Sequence, residues 1–191
     1  DGSFRLNQDY FDYSTGLKMT NKKFDNLFDS KPRSASKEQL SQFHMDLAAS
    51  IQQVTEEVML LIAKSLRQEY KISNLCLAGG VALNCVANSI IAKEYYPSLW
   101  IIPNPGDAGS SLGCAAYLLG EHVNWKDTFL GYDIQGKYPT QRVLDELIKG
   151  NIVGVASGRA EFGPRALGNR SLLADPRGDD IKDRGNKIKK Q

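Results

Sequence analysis

The chain has 191 residues, of which 41% are hydrophobic and 24% charged, and its formal net charge is +2. Because this composition supports a sizeable buried core, it excludes a wholly disordered chain. No apolar run approaches the roughly 18 residues of a bilayer-spanning helix, and residues 1–5 lack the features of a targeting segment. We therefore expect a soluble cytoplasmic chain, and the missing initiator Met suggests that it begins within a longer protein.

Residues 1–35 carry many aromatic side chains without a sustained period, which predicts irregular chain that packs by its aromatic rings. Apolar residues then recur at steps of three and four, which predicts one long amphipathic helix over residues 37–70. Ser36 and Gln39 fit a capping box at its start.

Short apolar runs at residues 74–78 and 99–102 predict two buried strands, and helical patterns follow at 82–95 and 110–119. This order is typical of an α/β unit with a right-handed parallel crossover. Turn residues between 122 and 138 indicate a domain boundary. Beyond it we expect a helix at 141–149, a strand at 152–156 and a polar segment at 179–190 with little apolar face.

The three cysteines, Cys76, Cys85 and Cys114, show no CxxC spacing, so neither a zinc knuckle nor a disulfide framework is indicated. We expect them to be buried and reduced. The two histidines are His44 and His122, and their surroundings in the sequence do not indicate a Ser-His-Asp or Cys-His arrangement. We expect His44 to pack or to form a surface hydrogen bond.

Gly79 and Gly80 follow the first strand, and Asn84 comes one turn later. Glycines at a strand end let backbone N–H groups approach a ligand. A tight turn followed by a capping Asn explains the same residues equally well, and the spacing does not match a dinucleotide fingerprint.

Asp107 stands among small residues after the second strand, where ligands bind in open α/β sheets. The small neighbouring residues leave room for a metal ion or a phosphate beside this carboxylate. The pattern alone favours another role, in which Asp107 caps the next helix through the N–H groups of Gly109 and Ser110.

Arg159, Arg165 and Arg170 lie among glycines in the segment 158–171. Guanidinium groups bind phosphate and carboxylate oxygens in pairs, so this cluster favours a small polyanionic ligand. Glu161 would orient one guanidinium. The alternatives are a salt-bridged turn and a nucleic-acid patch, although a patch usually has a longer basic stripe and more aromatic residues.

The segments 75–88, 105–113, 158–171 and 175–177 together resemble the NodU/CmcH-type O-carbamoyltransferases, in the same order. The resemblance implies an α/β fold in two parts. Residues 1–122 would be the carboxyl-terminal part of an actin/hexokinase-like ATPase domain and 123–138 a linker. Residues 139–191 would be the start of a YrdC-like domain.

In that family the YrdC-like domain makes carbamoyl adenylate from carbamoyl phosphate and ATP. The first domain holds an iron ion (Fe²⁺) and passes the carbamoyl group to a hydroxyl of a sugar or natural product. The resemblance therefore implies small-molecule partners and a homodimer as one option, without nucleic acid or membrane.

The resemblance also assigns roles to individual residues. Gly79, Gly80 and Asn84 would contact the nucleotide, and Asp107 would bind the metal, which reverses the preference from the pattern alone. Arg165 and Lys189 would be the catalytic residues of the YrdC-like site. The remaining expected ligand-binding residues are Gly109, Ser110, Arg159 and Arg170.

Two departures from the family pattern limit the expected activity. The H-x-x-x-H motif that supplies two metal ligands is absent, and the chain ends before a second arginine-containing stretch. We therefore expect an incomplete metal site and no turnover by these 191 residues alone. The alternatives are a threonylcarbamoyladenosine-type or sugar-kinase-like ATPase, which would lack the segment 161–171, and a truncated nucleotide- or anion-binding module.

Overall fold

The structure, a computed structural model, describes residues 2–34 and 36–189, so the predicted segment 179–190 ends outside them. The described chain is a mixed α/β protein. Its helices are α1 (Lys22–Leu27), α2 (Gln42–Tyr70), α3 (Cys85–Glu94), α4 (Ser110–Leu119), α5 (Thr140–Ile148) and α6 (Ile181–Lys189). Its strands are β1 (Asn74–Leu77), β2 (Ser98–Ile101), β3 (Asp133–Ile134), β4 (Val153–Ala156), β5 (Gly158–Arg159) and β6 (Arg170–Leu173).

The chain divides into two compact units. The first consists of Asp1–Leu75 and Asn84–Trp100, and the second of Cys76–Leu83 and Ile101–Gln191. The expected linker, 123–138, contains β3 and lies within the second unit. None of the helices within residues 2–34 and 36–189 has both the length and the apolar character needed to cross a membrane.

Aromatic rings organise the start of the first unit, as the sequence predicts. The rings of Phe11, Phe24, Phe28 and Phe43 follow one another with centroids 6.3, 5.2 and 6.2 Å apart. The prediction of wholly irregular chain is wrong, however, because α1 forms here. The Asn21 side chain caps α1 by accepting the N–H of Lys23 at 2.9 Å.

The long amphipathic helix is confirmed as α2, but it begins at Gln42 and not near residue 37. Ser41 is its N-cap and donates its backbone N–H to Nδ1 of His44 at 3.0 Å. The predicted capping box at Ser36 is therefore wrong. The Ser34 carbonyl accepts the N–H groups of residues 37 and 38 and closes a separate turn before the helix.

The core of the first unit lies between α2, α3 and the segments around the strands. Ala63, Ile91 and Tyr96 are buried, with at most 3% of each residue exposed. The Arg67 guanidinium lies 5.8 Å from the centroid of the Tyr96 ring, within range of a cation–π contact. Further apolar side chains packed against this core are Met59, Leu60, Leu75, Tyr95 and Leu99.

The two strands predicted after α2 are confirmed, and they pair in a two-stranded sheet. The prediction that they are buried is wrong, because exposed and half-buried residues alternate along both β1 and β2. Successive side chains of a strand point to opposite faces, so the exposed positions show that one face of this sheet is open.

Two further antiparallel pairings organise the second unit. β4 pairs with β6 from Val153 opposite Leu173 to Ala156 opposite Arg170, and β3 pairs with β5. Residues 160–169, which we call the β5–β6 loop, connect β5 to β6 and include most of the glycine- and arginine-rich segment. The two pairings therefore fix both ends of this loop.

The cysteines do not occupy the positions expected from their apolar neighbours. Cys76, Cys85 and Cys114 are free thiols and all three are exposed. Cys76 lies on the open face of β1, Cys85 is the first residue of α3, and Cys114 lies on an exposed side of α4. The prediction that the three cysteines are buried is therefore wrong.

Candidate functional site

The structure brings together the turns that follow β1 and β2. The Gly79 N–H donates a hydrogen bond of 2.7 Å to the carbonyl oxygen of Pro105, two residues before Asp107. Gly79 has a φ of +92°, which L side chains rarely adopt. No described atom outside the adjoining residues lies within 4 Å of the Cβ position of either Gly79 or Gly80. A ligand thus has room to approach the backbone at this turn.

Asn84 caps a helix, which is one of the two roles that the sequence leaves open for it. Its Oδ1 accepts the N–H of Ala87 at 3.2 Å and so caps α3. Its amide also exchanges hydrogen bonds with Gln52 on α2. The capping role is confirmed, whereas a contact between Asn84 and a nucleotide stays a prediction.

The helix-capping role considered for Asp107 does not occur in the structure. Asp107 begins a short 3-10 turn, is exposed, and its side chain caps neither that turn nor α4. Gly109 is buried where any Cβ would collide with the Asn104 carbonyl oxygen, so the residue is needed for close packing. Ser110 follows it, exposed, as the first residue of α4.

The described residues do not by themselves fit a metal ion. They contain no group of three or more His, Cys, Asp or Glu side chains arranged to hold one. A single carboxylate rarely retains a transition metal, because such sites usually combine several imidazole, thiolate or carboxylate ligands. Asp107 as a metal ligand stays a prediction of the resemblance.

The β5–β6 loop is anchored at its start by backbone contacts. The Phe162 N–H donates to the Thr128 carbonyl at 2.7 Å. Gly163 has a φ of +145° and lies so close to Pro103 that a Cβ would collide with the Pro103 carbonyl oxygen. Glycine is therefore required at residue 163, and the loop passes against the segment that follows β2.

The three arginines of the predicted cluster have different environments. The Arg170 guanidinium donates to the carbonyl oxygens of residues 132, 157, 158 and 169, at 2.6 to 3.3 Å. Arg159 is exposed and uses only Nε, which donates to the Gly131 carbonyl at 3.3 Å. Arg165 is exposed, and no hydrogen bond or ion pair joins its side chain to another described residue. Arg165 is thus the arginine most available to an anion.

The predicted role of Glu161, to orient a guanidinium, does not occur in the structure. Its Oε1 accepts three backbone N–H groups, from Leu167 at 2.9 Å, Asn169 at 2.8 Å and Arg170 at 3.2 Å. Removal from water raises the pKa of this carboxyl. The backbone donors outweigh that effect, and the pKa lies below its ordinary value.

Lys189 lies at the end of α6, exposed and apart from the β5–β6 loop residues. It lines a groove of about 210 Å³ with other residues of α6 and with Ile152, Leu172 and Ala174, and Arg165 is not part of this lining. Arg165 and Lys189 therefore do not share this groove.

Two family models match the chain. The model described as "Carbamoyltransferase N-terminus" covers residues 1–116, and that described as "Carbamoyltransferase C-terminus" covers residues 144–191. The chain belongs to the carbamoyltransferase family. The resemblance found in the sequence is thereby confirmed, and both parts of the family are represented.

Individual relatives agree with this assignment. The carbamoyltransferase-family chain is 44% identical to an uncharacterized protein of Synechocystis sp. over 93% of its own length and 34% of the relative's. It is 33% identical to the nodulation protein NolO of Bradyrhizobium diazoefficiens, over 79% and 32%. It is 36% identical to the 3'-hydroxymethylcephem-O-carbamoyltransferase of Amycolatopsis lactamdurans, over 72% and 30%. The chain thus spans about a third of the length of these relatives.

Sequence reasoning locates the β5–β6 loop of this carbamoyltransferase-family chain but misses how the loop is held. The partners of Glu161 and Arg170 are backbone groups, which leave no pattern of side-chain types. The available signal is a Glu at the start of a segment rich in Gly and Pro. Such a segment has N–H groups without partners in a helix or sheet, which a carboxylate can accept.

Proposed function

We propose that this chain is part of an ATP-dependent O-carbamoyltransferase. Residues 139–191 would belong to the YrdC-like part that forms carbamoyl adenylate from carbamoyl phosphate and ATP. Residues 1–122 would belong to the actin/hexokinase-like part that transfers the carbamoyl group to a hydroxyl of a sugar or natural product. The matches to both family models support this proposal, as does the similarity to the Amycolatopsis O-carbamoyltransferase.

The observation that carries the proposal is the contrast between Arg165 and Arg170. The Arg170 guanidinium donates hydrogen bonds to backbone carbonyls, whereas Arg165 is exposed without a partner among the described residues. An unpaired guanidinium on a loop fixed at both ends is suited to hold phosphate oxygens in two parallel hydrogen bonds. Arg165 would thereby bind the donor phosphate and stabilise the charge that develops on its oxygens.

The open turn at Gly79 and Gly80 supports a second part of the proposal, the nucleotide contact. The Gly79 N–H is already donated to Pro105, so the Gly80 N–H, which no Cβ shields, would approach phosphate oxygens. Ser110 at the start of α4 would supply its hydroxyl, because its N–H is donated to carbonyls of the preceding turn. Asn84 would then act by fixing α3, because the hydrogen-bonding capacity of its side chain is largely used within the protein.

Calorimetry with carbamoyl phosphate and with ATP tests the proposal on the 191-residue chain. We expect Arg165→Ala to weaken carbamoyl phosphate binding by about tenfold or more, since hydrogen bonds to charged groups contribute about 1.5 to 3 kcal/mol. Arg142→Ala removes an exposed arginine of α5 as a matched control and should leave the affinity unchanged. Absence of binding by a folded chain would overturn the proposal.

A truncated binding module would bind the same ligands, so turnover separates it from the enzyme. The protein extended to the length of its relatives should form carbamoyl adenylate, and Arg165→Ala should abolish that step. The variant should still transfer a carbamoyl group from carbamoyl adenylate supplied to it. Binding without turnover by the extended protein would leave only the module.

A further inference from the structure

The β5–β6 loop is tied down on its inner side by a single carboxylate oxygen. Glu161 Oε1 receives the N–H groups of Leu167, Asn169 and Arg170, with donor to acceptor distances of 2.8 to 3.2 Å. These three donors lie six to nine residues after Glu161, so the carboxylate closes the loop upon itself. The closed part contains Arg165.

Both ends of the closed loop are fixed independently of Glu161. At the start, Gly163 lies against the Pro103 carbonyl. At the end, Asn169 Nδ2 donates to the Arg159 carbonyl at 2.8 Å, and the Gly168 N–H donates to Ser171 Oγ at 3.1 Å. Between them, the one hydrogen bond from residues 164–167 to other described residues is that from Leu167 to Glu161.

The hydrogen bonds to Glu161 also change how its negative charge would affect an anion bound at this loop. A free carboxylate close to an anion site would repel phosphate. Glu161 is instead saturated at Oε1 by three backbone donors, so its charge is offset by the partial positive charge of those N–H groups. The same contacts make these three N–H groups unavailable to a ligand, so they do not compete with the Arg165 side chain for an anion.

We propose that Glu161 is a positioning residue that holds residues 164–167 in the one arrangement in which Arg165 meets the donor phosphate. This inference rests on the proposed function, since it assumes that Arg165 binds carbamoyl phosphate. Glu161 touches no ligand. It acts by keeping the Arg165 backbone fixed, so that binding does not have to order the loop at an entropic cost.

Hydrogen exchange and calorimetry on the 191-residue chain test this role. We expect Glu161→Ala to accelerate exchange of the Leu167, Asn169 and Arg170 amides. We also expect it to weaken carbamoyl phosphate binding by about tenfold, because three charge-assisted hydrogen bonds are lost. Glu161→Gln keeps a carbonyl oxygen acceptor and should restore most of both properties. Glu146→Gln, on α5, is the matched control and should alter neither.

A double-mutant comparison separates positioning from general stability. If Glu161 acts through Arg165, adding Glu161→Ala to Arg165→Ala should cost no further affinity for carbamoyl phosphate. Additive losses would overturn the inference, as would unchanged exchange of the three amides in Glu161→Ala. If that variant does not fold, Glu161→Asp takes its place, because its shorter side chain cannot reach all three donors.

The outcomes also distinguish this inference from the proposed function. Failure of the unaltered chain to bind carbamoyl phosphate would refute the proposed function and, with it, the positioning of Arg165 for that ligand. Binding that depends on Arg165 but is indifferent to Glu161→Ala would keep the proposed function and refute the inference.

Discussion

Gln52 on α2 and Asn84 before α3 exchange two side-chain hydrogen bonds. Gln52 Nε2 donates to Asn84 Oδ1 at 3.1 Å, and Asn84 Nδ2 donates to Gln52 Oε1 at 3.0 Å. The same Asn84 oxygen caps α3, so one side chain fixes both the start of α3 and its attachment to α2.

Asn84→Ala should lower the free energy of unfolding by about 1 to 2 kcal/mol, because it removes an N-cap and leaves Gln52 without its partner. Asn84→Ser restores a capping hydroxyl and should recover about half of the loss. Chemical denaturation followed by far-ultraviolet circular dichroism measures both. If serine is no better than alanine, the cap contributes nothing to the loss.

Gly163→Ala should destabilise the second unit by more than a strained φ alone, which costs about 1 to 3 kcal/mol. The added Cβ would also collide with the Pro103 carbonyl oxygen. Gly136→Ala is the matched control, since Gly136 has a φ of +130° and open space around its Cβ position. Trp125, whose ring lies 6.0 Å from that of Phe162, reports unfolding by fluorescence in a Trp100→Phe background. Equal losses would show that the close approach is unimportant.

Arg170→Ala should lower the stability of the second unit by about 2 to 4 kcal/mol, because it leaves several backbone carbonyls without their charged donor. Arg159→Ala loses one exposed hydrogen bond and should cost less than about 1 kcal/mol. Urea denaturation in the Trp100→Phe background compares the two. A larger loss for Arg159→Ala would contradict the structural role assigned to Arg170.

Arg177 forms a salt bridge with Asp175 and lowers the pKa of that carboxyl from 3.8 to about 2. Since the folded-state pKa is the lower one, the pair stabilises the protein above the unfolded-state pKa, and this contribution is lost as the pH falls toward 2. The stability difference between the unaltered chain and Asp175→Asn should therefore shrink over that range. Carboxyl NMR titration should show the Asp175 pKa rising toward 3.8 in Arg177→Ala.

Much of the secondary structure follows from local pattern. The spacing of apolar residues predicts α2 and the apolar runs predict β1 and β2, because both depend on side chains close in the sequence. The start of α2 could not be found this way. Two serines, Ser36 and Ser41, are both suitable caps, and a turn closed by the Ser34 carbonyl decides between them.

The candidate site likewise has features that the sequence predicts and features that only the fold determines. Its glycines and arginines stand out in the sequence, but the pattern does not show that Arg170 binds backbone carbonyls while Arg165 has no partner among the described residues. Those differences arise from pairings between residues 128–134 and 158–162, which lie far apart in the chain.

Because the thiols are exposed, each of the two units can be labelled chemically at its own cysteine. Cys85 belongs to the first unit and Cys114 to the second, so Cys76→Ser would leave one maleimide-reactive thiol in each. A donor and an acceptor dye on that pair would turn any ligand-dependent rearrangement of the two units into a change in energy transfer.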